Sequence, residues 1–227
     1  MLHSITDGLW SLDYSVNMPL MTLPARSTVV RLHGNQLIII SPGPLAAHEH
    51  GALSGLGSVE YLVAPNLFHH LHLPAAVAAY PQAAVFAPEG LTSKNKKLAG
   101  MTLNPMSALN PIAQGVLRTL TFEGIPKLAE TVFLHEPSRS LIITDLAFNV
   151  EQPQGLGMYI VFNLFGTYRS FRTSRLLKML TKDRAAAAAS ARAVLDWDFE
   201  RVVVCHGEIV VEGAKERMRE ALAPLLN

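Results

Sequence analysis

The stretch that decides the fold is "VEYLVAPNLFHHLHLP", residues 59–74, in which an apolar run passes directly into a histidine-rich turn. The run has the composition of a buried strand, and the alanine-rich segment that follows Pro74 has the composition of a short helix. Between them lie His69, His70 and His72, three of the nine histidines of the chain. Functional groups collect on loops beyond strand ends, so this turn is a candidate site. Three close histidines nevertheless make only part of a coordination shell.

Composition indicates a folded globule. The chain has 227 residues, of which 49% are apolar and 16% are charged, which predicts a substantial core and excludes general disorder. We expect one domain over residues 1–227. The net charge of +1 provides no overall field for binding nucleic acid or an acidic membrane surface.

Cysteine usage and hydropathy bear on the compartment. Cys205 is the single cysteine, so no intrachain disulfide can form, which fits a reducing compartment and predicts a cytoplasmic protein. Residues 1–15 do not have the pattern of a signal peptide. The most apolar segment, residues 155–166, is shorter than the roughly 20 residues of a spanning helix. It is predicted to pack on a sheet, while a pocket wall and a peripheral membrane contact stay open as alternatives.

Three predicted strands end in polar residues. "YLVAP" leads into the histidine turn, "LIIT" leads into Asp145, and "VVVC" leads into His206 and a glycine. If these strand ends share one edge, then His69, His70, Asp145 and His206 converge. Strand patterns dominate the first two thirds of the chain and helical patterns the last third, which predicts an α+β fold with sheets faced by helices.

The order of these landmarks resembles the metallo-β-lactamase fold superfamily over most of the chain. There, an early strand ends in Asp-Thr-Gly, here "LIIISPG", and a later strand enters a metal-binding histidine loop. A further strand ends in a bridging aspartate, here "LIITDLAFN", and the last strand ends in His-Gly, here "VVVCHGE". The wording "SPGPL", "VAPNLFHHLHL" and "YPQAAVFAPEGL" is similar to an uncharacterised branch, a bacterial and plant domain family of unknown function. The resemblance implies an αββα sandwich, two mixed β-sheets flanked by helices.

The chain departs from the superfamily pattern at one of its two metal positions. The superfamily loop reads His-x-His-x-Asp-His. With its last pair set on His69 and His70, Pro65 and Leu67 stand where the first two histidines belong, and His69 replaces the aspartate. The Gly-His-Thr turn of the superfamily corresponds to "FEGIPKLAE", which has no histidine. The ligands of one metal position are absent together, and those of the second remain: His70, Asp145 and His206.

This pattern implies a reduced, one-metal site. The resemblance implies that His69, His70, Asp145 and His206 hold a single zinc, iron or manganese ion. It implies a metal-dependent hydrolase of a small-molecule substrate, in which the ion activates water and His69 and Asp145 are catalytic. The missing aspartate keeps a second hypothesis open, a non-catalytic protein of this fold that binds a ligand or a partner and holds no ion. No motif identifies the substrate.

Each candidate ligand also has a structural interpretation that stays open. The rings of His69 and His70 can form hydrogen bonds within their turn. Asp145 can cap a turn or a helix start, and His206 can be a packed residue at the end of a strand. Within an apolar strand, Cys205 is predicted to point into the core, away from the side of His206.

The remaining histidines and the basic run have simpler interpretations. His72 is predicted to be structural, and His48 and His50 are predicted to lie at a solvated helix end. The segment "YRSFRTSRLLK", residues 168–178, spaces its basic residues three apart, which on a helix gives one positive face. That face, predicted to be solvated and alternatively a phosphate or carboxylate site, comprises Arg169, Arg172, Arg175 and Lys178.

Overall fold

The computed structural model describes residues 1–226. Its strands are β1 (Leu2–Thr6), β2 (Leu9–Met18), β3 (Met21–Arg31), β4 (Gln36–Ile40), β5 (Ser58–Val63), β6 (Ala84–Phe86), β7 (Leu103–Asn104), β8 (Leu117–Thr121), β9 (Thr131–His135), β10 (Ser140–Ile143) and β11 (Arg201–Val204). Its α-helices are α1 (Ala47–Leu56), α2 (Leu73–Ala79), α3 (Leu91–Lys94), α4 (Gly155–Phe165), α5 (Arg175–Leu180), α6 (Arg184–Leu195) and α7 (Ala214–Leu226).

The strands form two mixed sheets, as the sequence predicts. The first has seven strands in chain order, β1 to β7, and the second has four in the order β11-β10-β9-β8. In the first sheet β3 and β4 pair antiparallel, whereas β4 to β7 pair parallel. In the second sheet β10 and β11 pair parallel. Helices α1 and α2 contact β5 of the first sheet, and α7 contacts β11 of the second.

The chain divides into two compact units. The first comprises Met1–Tyr14, Arg26–Arg118 and His135–Ser138, and the second comprises Ser15–Ala25, Thr119–Leu134 and Arg139–Asn227. The single domain expected over residues 1–227 stays a prediction.

The first unit is built around the parallel strands that precede the histidine turn. Parallel strands are covered on both faces, so they read as continuous apolar runs. Four of the five residues of β4 are buried, and so are the last two of β5. A short connection that contains Gly34, at φ +68°, joins β3 to β4 as an antiparallel pair. The helix predicted after the histidine turn is α2, which has Pro74 in its first turn.

The second unit has a core formed by its sheet and two amphipathic helices. Helix α6 presents a stripe of small residues, of which Ala187, Ala191 and Val194 are buried completely. Helix α7 packs on α6 through apolar residues at i, i+4 spacing, including Met218 and Leu222. These two helices share one buried core with β10 and β11, the strands that carry the polar strand ends.

The single positive helical face predicted for residues 168–178 is wrong. Gly166 ends α4 in the left-handed conformation at φ +74°, and α5 does not begin until Arg175, after the Ser174 side chain accepts a hydrogen bond from the Leu177 N–H. Arg169 and Arg172 lie in the irregular segment between these helices. A glycine C-cap and a serine N-cap interrupt the three-residue spacing, which has meaning only within one helix.

None of the helices among residues 1–226 is long and apolar enough to cross a membrane.

Candidate metal centre

The histidine turn of the first unit is held by a buried asparagine. The chain leaves β5 at Ala64, whose N–H donates a hydrogen bond to the Phe86 carbonyl at 2.9 Å. The Asn66 side chain is completely buried, and its Oδ1 accepts from the N–H groups of Phe68 at 2.8 Å and His69 at 2.9 Å. A buried amide that satisfies two backbone donors fixes the conformation of the turn. The direction of the His69 side chain is therefore set by the fold.

The His69 ring is oriented by a serine at the end of β4. Its Nδ1 lies 2.6 Å from Ser41 Oγ. Ser41 is buried and has a φ of +55°, a left-handed conformation that is uncommon for a residue with a Cβ. When Nδ1–H donates to this hydroxyl, Nε2 carries the lone pair. Metal-ligating histidines are commonly oriented in this way, through a hydrogen bond from the nitrogen that does not bind the ion.

The His70 ring has a different partner, and its geometry is less suited to ligation. Asn95 donates from Nδ2 to His70 Nδ1 at 3.2 Å and to the His70 carbonyl at 3.3 Å, while Asn95 Oδ1 accepts from the Lys97 N–H. These contacts make Nδ1 an acceptor and put the proton on Nε2. Burial lowers the pKa of His70, and His69 and Lys94 add to the effect. Of the two neighbouring histidines, His69 is the one that keeps an Nε2 lone pair for a metal ion when its Nδ1–H donates to Ser41.

The other histidines of this region have structural partners. His72 contacts the Tyr14 ring edge-on at 5.6 Å between ring centroids, and burial lowers its pKa. His50 lies on α1 and its Nδ1 is 2.8 Å from the Tyr80 hydroxyl. His48 is on the same helix and is exposed.

In the second unit, the ends of β10 and β11 bring Asp145 and His206 together. These strands are adjacent and parallel, so both chains leave the sheet at the same edge. His206 Nε2 lies 3.4 Å from Asp145 Oδ1, and His206 Nδ1 lies 2.8 Å from the Pro24 carbonyl oxygen. A carbonyl only accepts, so Nδ1 carries a proton. In the neutral ring Nε2 then has its lone pair directed towards the carboxylate.

His206 is enclosed by an aromatic ring and by a close backbone contact. The Phe148 ring stacks on it at 5.1 Å between centroids, with planes 10° apart, and 4% of the histidine is exposed. The next residue, Gly207, has a φ of +103°, and a Cβ there would lie 2.1 Å from the Asn149 carbonyl oxygen. Only glycine fits this position. The His-Gly pair of the sequence thus has a structural reason.

Cys205 is buried, as predicted, but the prediction that it faces away from His206 is wrong. Strand β11 ends at Val204 and the chain bends over the next two residues, so the alternation of a strand no longer applies. The Cys205 Sγ and a ring nitrogen of His206 lie within 4.8 Å of each other. Thiolate and imidazole are ligand types of zinc sites, so Cys205 and His206 are candidate ligands, and the Asp145 carboxylate lies beside His206 Nε2.

Glu130 is a positioning residue of the candidate site that sequence reasoning missed. Its carboxylate is completely buried and accepts two backbone hydrogen bonds, from Thr144 N–H at 2.7 Å and from Asp145 N–H at 2.9 Å. Bonds of this kind are charge-assisted and strong, so they fix the turn that carries Asp145. The available signal was an acidic residue directly before the apolar strand "TVFLH".

Solved structures with the same fold cover nearly the whole chain. A metallo-β-lactamase from Pontibacter korlensis is 13% identical, with a TM-score of 0.64 over 100% of this chain and 99% of that one. The metallo-β-lactamase FIM-1 from Pseudomonas aeruginosa, in its mono-zinc form, is 12% identical, with a TM-score of 0.63 over 100% and 96%. The metal-soaked Flv1 flavodiiron core from Synechocystis sp. PCC6803 is 13% identical, with a TM-score of 0.67 over 99% and 60%.

At such identities these likenesses establish the fold alone, which is that of the metallo-β-lactamases, as the sequence predicts. The search of curated proteins finds no match. A family profile matches residues 6–156, which is more than half of the chain. The chain therefore belongs to the family described as Domain of unknown function (DUF4336).

Proposed function

We propose that this chain is a metal-dependent hydrolase with a reduced, one-metal site. In this proposal Asp145 and His206 hold the ion together with His69, which the resemblance implies as a ligand, and Cys205 is a further candidate ligand. The observation that carries the proposal is the His206 ring, whose Nδ1 bonds to the Pro24 carbonyl while Nε2 points to Asp145. A ligating histidine needs this arrangement of tautomer and orientation.

The donor set bears on the identity of the ion. Imidazole and carboxylate groups suit zinc, iron and manganese, while a thiolate favours zinc over manganese. A zinc ion, when bound, supplies Lewis-acid polarisation of a carbonyl or phosphoryl oxygen and lowers the pKa of water to about 7. A reducing compartment such as the cytoplasm would keep Cys205 reduced, as a metal ligand must be.

The protein residues would position the reacting groups. Glu130 holds the backbone of Asp145 through two hydrogen bonds, so the carboxylate is preorganised. His69, whose Nδ1 is within hydrogen-bond distance of Ser41, would use Nε2 to bind the ion or to take a proton from the attacking water. Phe148 covers one face of His206 and excludes water from that side. The substrate would be a small molecule.

A further observation supports a single metal position. Pro65 and Leu67, which stand where the resembling motif has histidines, are buried and apolar. His70, which the resemblance implies as a ligand of the retained position, accepts from Asn95 at Nδ1, so this proposal does not count it among the ligands. FIM-1 in its mono-zinc form has the same fold, which is compatible with one ion in this architecture.

The same departures also favour a second candidate function, a non-catalytic protein of this fold that binds a small ligand or a partner. That candidate does not require His206 or Asp145 to hold an ion. The two candidates differ in metal content, which can be measured before any substrate is known.

The deciding experiment is elemental analysis of protein purified without an affinity tag. The protein is incubated separately with zinc, manganese and, under anaerobic conditions, ferrous iron, and is then desalted. We expect about one equivalent of one metal in the wild type and about a tenth or less in His206→Ala and Asp145→Ala. His50→Ala, which removes a histidine that bonds to Tyr80, is the matched control and keeps the wild-type content. A wild type that also retains about a tenth of an equivalent or less supports the non-catalytic candidate.

A further inference from the structure

Helix α4 of the second unit has two apolar faces, and one of them is exposed. Met158 and Phe162 are buried, whereas Leu156, Ile160 and Leu164 are 73%, 52% and 65% exposed. At 100° per residue these sets lie on opposite sides of the helix. The helix contains no charged residue. A surface helix normally turns a polar face to solvent, so the outer face of α4 needs another explanation.

Neighbouring segments of the same unit extend the apolar surface. Leu20, in the β2–β3 turn, is 71% exposed, and a Cβ on Gly157 of α4 would lie 1.5 Å from its carbonyl oxygen. On α5, Met179 is 77% exposed. Arg175 joins the two helices, because its Nη1 donates to the carbonyl of Leu164, in the last turn of α4, at 3.2 Å. We call Leu20, α4 and α5 together the α4–α5 surface.

The segment of chain that carries α4 and α5 is strongly positive. Residues 155–182 contain five basic residues and no acidic one, while the whole chain has a net charge of only +1. The basic residues of this segment are Arg169, Arg172, Arg175, Lys178 and Lys182. A recess beside α5, lined by Lys178, Thr181, Arg184, Pro224 and Leu225, adds a further basic side chain. The remainder of the chain is therefore net negative, and the positive charge is concentrated beside exposed apolar side chains.

We propose that the α4–α5 surface docks the protein peripherally on an anionic lipid bilayer. Apolar side chains flanked by lysine and arginine are the composition of segments that lie in the interface of a membrane. Juxtaposed basic residues are attracted by the negative potential of anionic lipids. A second copy of the chain is a poorer occupant, because a symmetric interface would place the same positive segment against itself. This inference does not depend on the proposed metal chemistry.

The test is sedimentation of the protein with vesicles of phosphatidylcholine alone and of phosphatidylcholine with one third phosphatidylglycerol. We expect binding to the anionic vesicles to be at least about tenfold tighter than to the neutral ones, and to weaken as salt is raised. The double variant Ile160→Asp, Leu164→Asp should lose binding to both kinds of vesicle. Its control is Val211→Asp, at another exposed apolar residue of the same unit, which should bind like the wild type.

The electrostatic contribution has its own pair of variants. Lys178→Glu with Lys182→Glu should abolish the preference for anionic vesicles, whereas Lys96→Glu with Lys97→Glu, in the first unit, should retain it. If the double aspartate variant does not fold, Met179→Glu on α5 replaces it, since that side chain is 77% exposed. The proposal is overturned if the wild type binds neither vesicle or if the α4 and α5 variants bind like the wild type. It is equally overturned if the wild type dimerises in sedimentation equilibrium and these variants are monomeric.

Discussion

The histidine turn of the first unit and the Asp145–His206 pair of the second hold their side chains by different means. In the second unit a backbone carbonyl, that of Pro24, orients the ring, and the buried Glu130 carboxylate fixes the turn that carries Asp145. In the first unit a hydroxyl, that of Ser41, contacts the ring. The carbonyl that bonds to His206 persists whatever side chain stands at position 24, whereas the hydroxyl beside His69 is lost by one substitution. This difference is consistent with the second unit matching the superfamily pattern and the first departing from it.

The glycine of each region gives the largest expected contrast. In Gly207→Ala the new Cβ would meet the Asn149 carbonyl oxygen at 2.1 Å at a φ of +103°, so backbone must move. In Gly43→Ala the Cβ would meet the Tyr14 ring at 2.3 Å, and a side chain can turn away. We expect a loss in the free energy of unfolding of about 4 kcal/mol for the first and about 2 kcal/mol for the second, measured by urea titration.

A control for the conformational part is Gly34→Ala, because Gly34 has a φ of +68° with no atom within 4 Å of the added Cβ. It should cost about 1 kcal/mol. If Gly207→Ala lowers the free energy of unfolding no more than this control does, the close contact with the Asn149 carbonyl does not contribute to the loss.

The next contrast is between Glu130 and Asn66, the two buried side chains that accept backbone hydrogen bonds in these turns. Glu130→Ala leaves the N–H groups of Thr144 and Asp145 without their acceptor, and Asn66→Ala does the same to Phe68 and His69. Because bonds to a carboxylate are stronger than bonds to an amide, we expect losses of about 3 and about 2 kcal/mol in the free energy of unfolding. Equal losses would mean that the charge of Glu130 does not stabilise its turn. Asn95→Ala, at a part-exposed amide, is the control and should cost about 1 kcal/mol or less.

The parts of the fold that follow from local pattern could be predicted from the sequence. The apolar run of β5, the histidine turn and the helix after Pro74 are encoded by neighbouring residues, and the structure has them in that order. The wrong predictions concern places where a pattern is interrupted. The predicted positive face of residues 168–178 is interrupted by the glycine and serine caps, and the predicted orientation of Cys205 is wrong because strand β11 ends one residue before it.

The candidate site was predictable only as a set of residue types. Glu130 bonds to backbone N–H groups 14 and 15 residues further along, and backbone groups leave no trace in a sequence pattern. The distinction between His69 and His70 depends on Ser41 and Asn95, which are 28 and 25 residues away. Such long-range partners are fixed by the tertiary fold, so the tautomers of the candidate ligands could be assigned only from the structure.

The histidines are distributed unequally between the two units, which predicts the unit in which acid lowers stability. Eight of the nine lie in the first unit, and burial lowers the pKa of His135 there to about 4, against 6.5 ordinarily, an effect that nearby Asp7 partly offsets. The unfolded chain therefore binds more protons than the native one between pH 6.5 and 4. From His135 alone, stability should fall as pH falls through that window, by at most about 1.4 kcal/mol per pH unit.

Urea titrations of the wild type and of His135→Gln between pH 7 and 4.5 measure this effect. The variant should have the shallower dependence, although the lowered pKa values of His70 and His72 leave it a residual slope of the same sign. His48→Gln, on the exposed side of α1, should keep the wild-type slope. Parallel curves for the wild type and His135→Gln would mean that the buried ring is not neutral in the native protein.

The smallest expected effect on stability, in Ser41→Gly, sharpens the comparison most. The substitution removes the hydroxyl beside His69 but relieves the left-handed strain at φ +55°. These contributions are each about 1 kcal/mol and opposite in sign, so the free energy of unfolding should change by less than about 1 kcal/mol. Metal affinity should nevertheless fall about 10- to 100-fold, because the ring loses the partner that orients it.

Ser27→Ala provides the converse, since Ser27 Oγ accepts a hydrogen bond from a backbone group, the Gly43 N–H, at 2.7 Å. It should lower the free energy of unfolding by about 1–2 kcal/mol and leave metal affinity unchanged, as followed by competition with a chromogenic chelator. Unchanged affinity in Ser41→Gly would remove His69 from the ligand set and leave the second unit as the source of the ligands. Reduced metal affinity at unchanged stability would instead show that the Ser41 hydroxyl orients His69, as the Pro24 carbonyl orients His206.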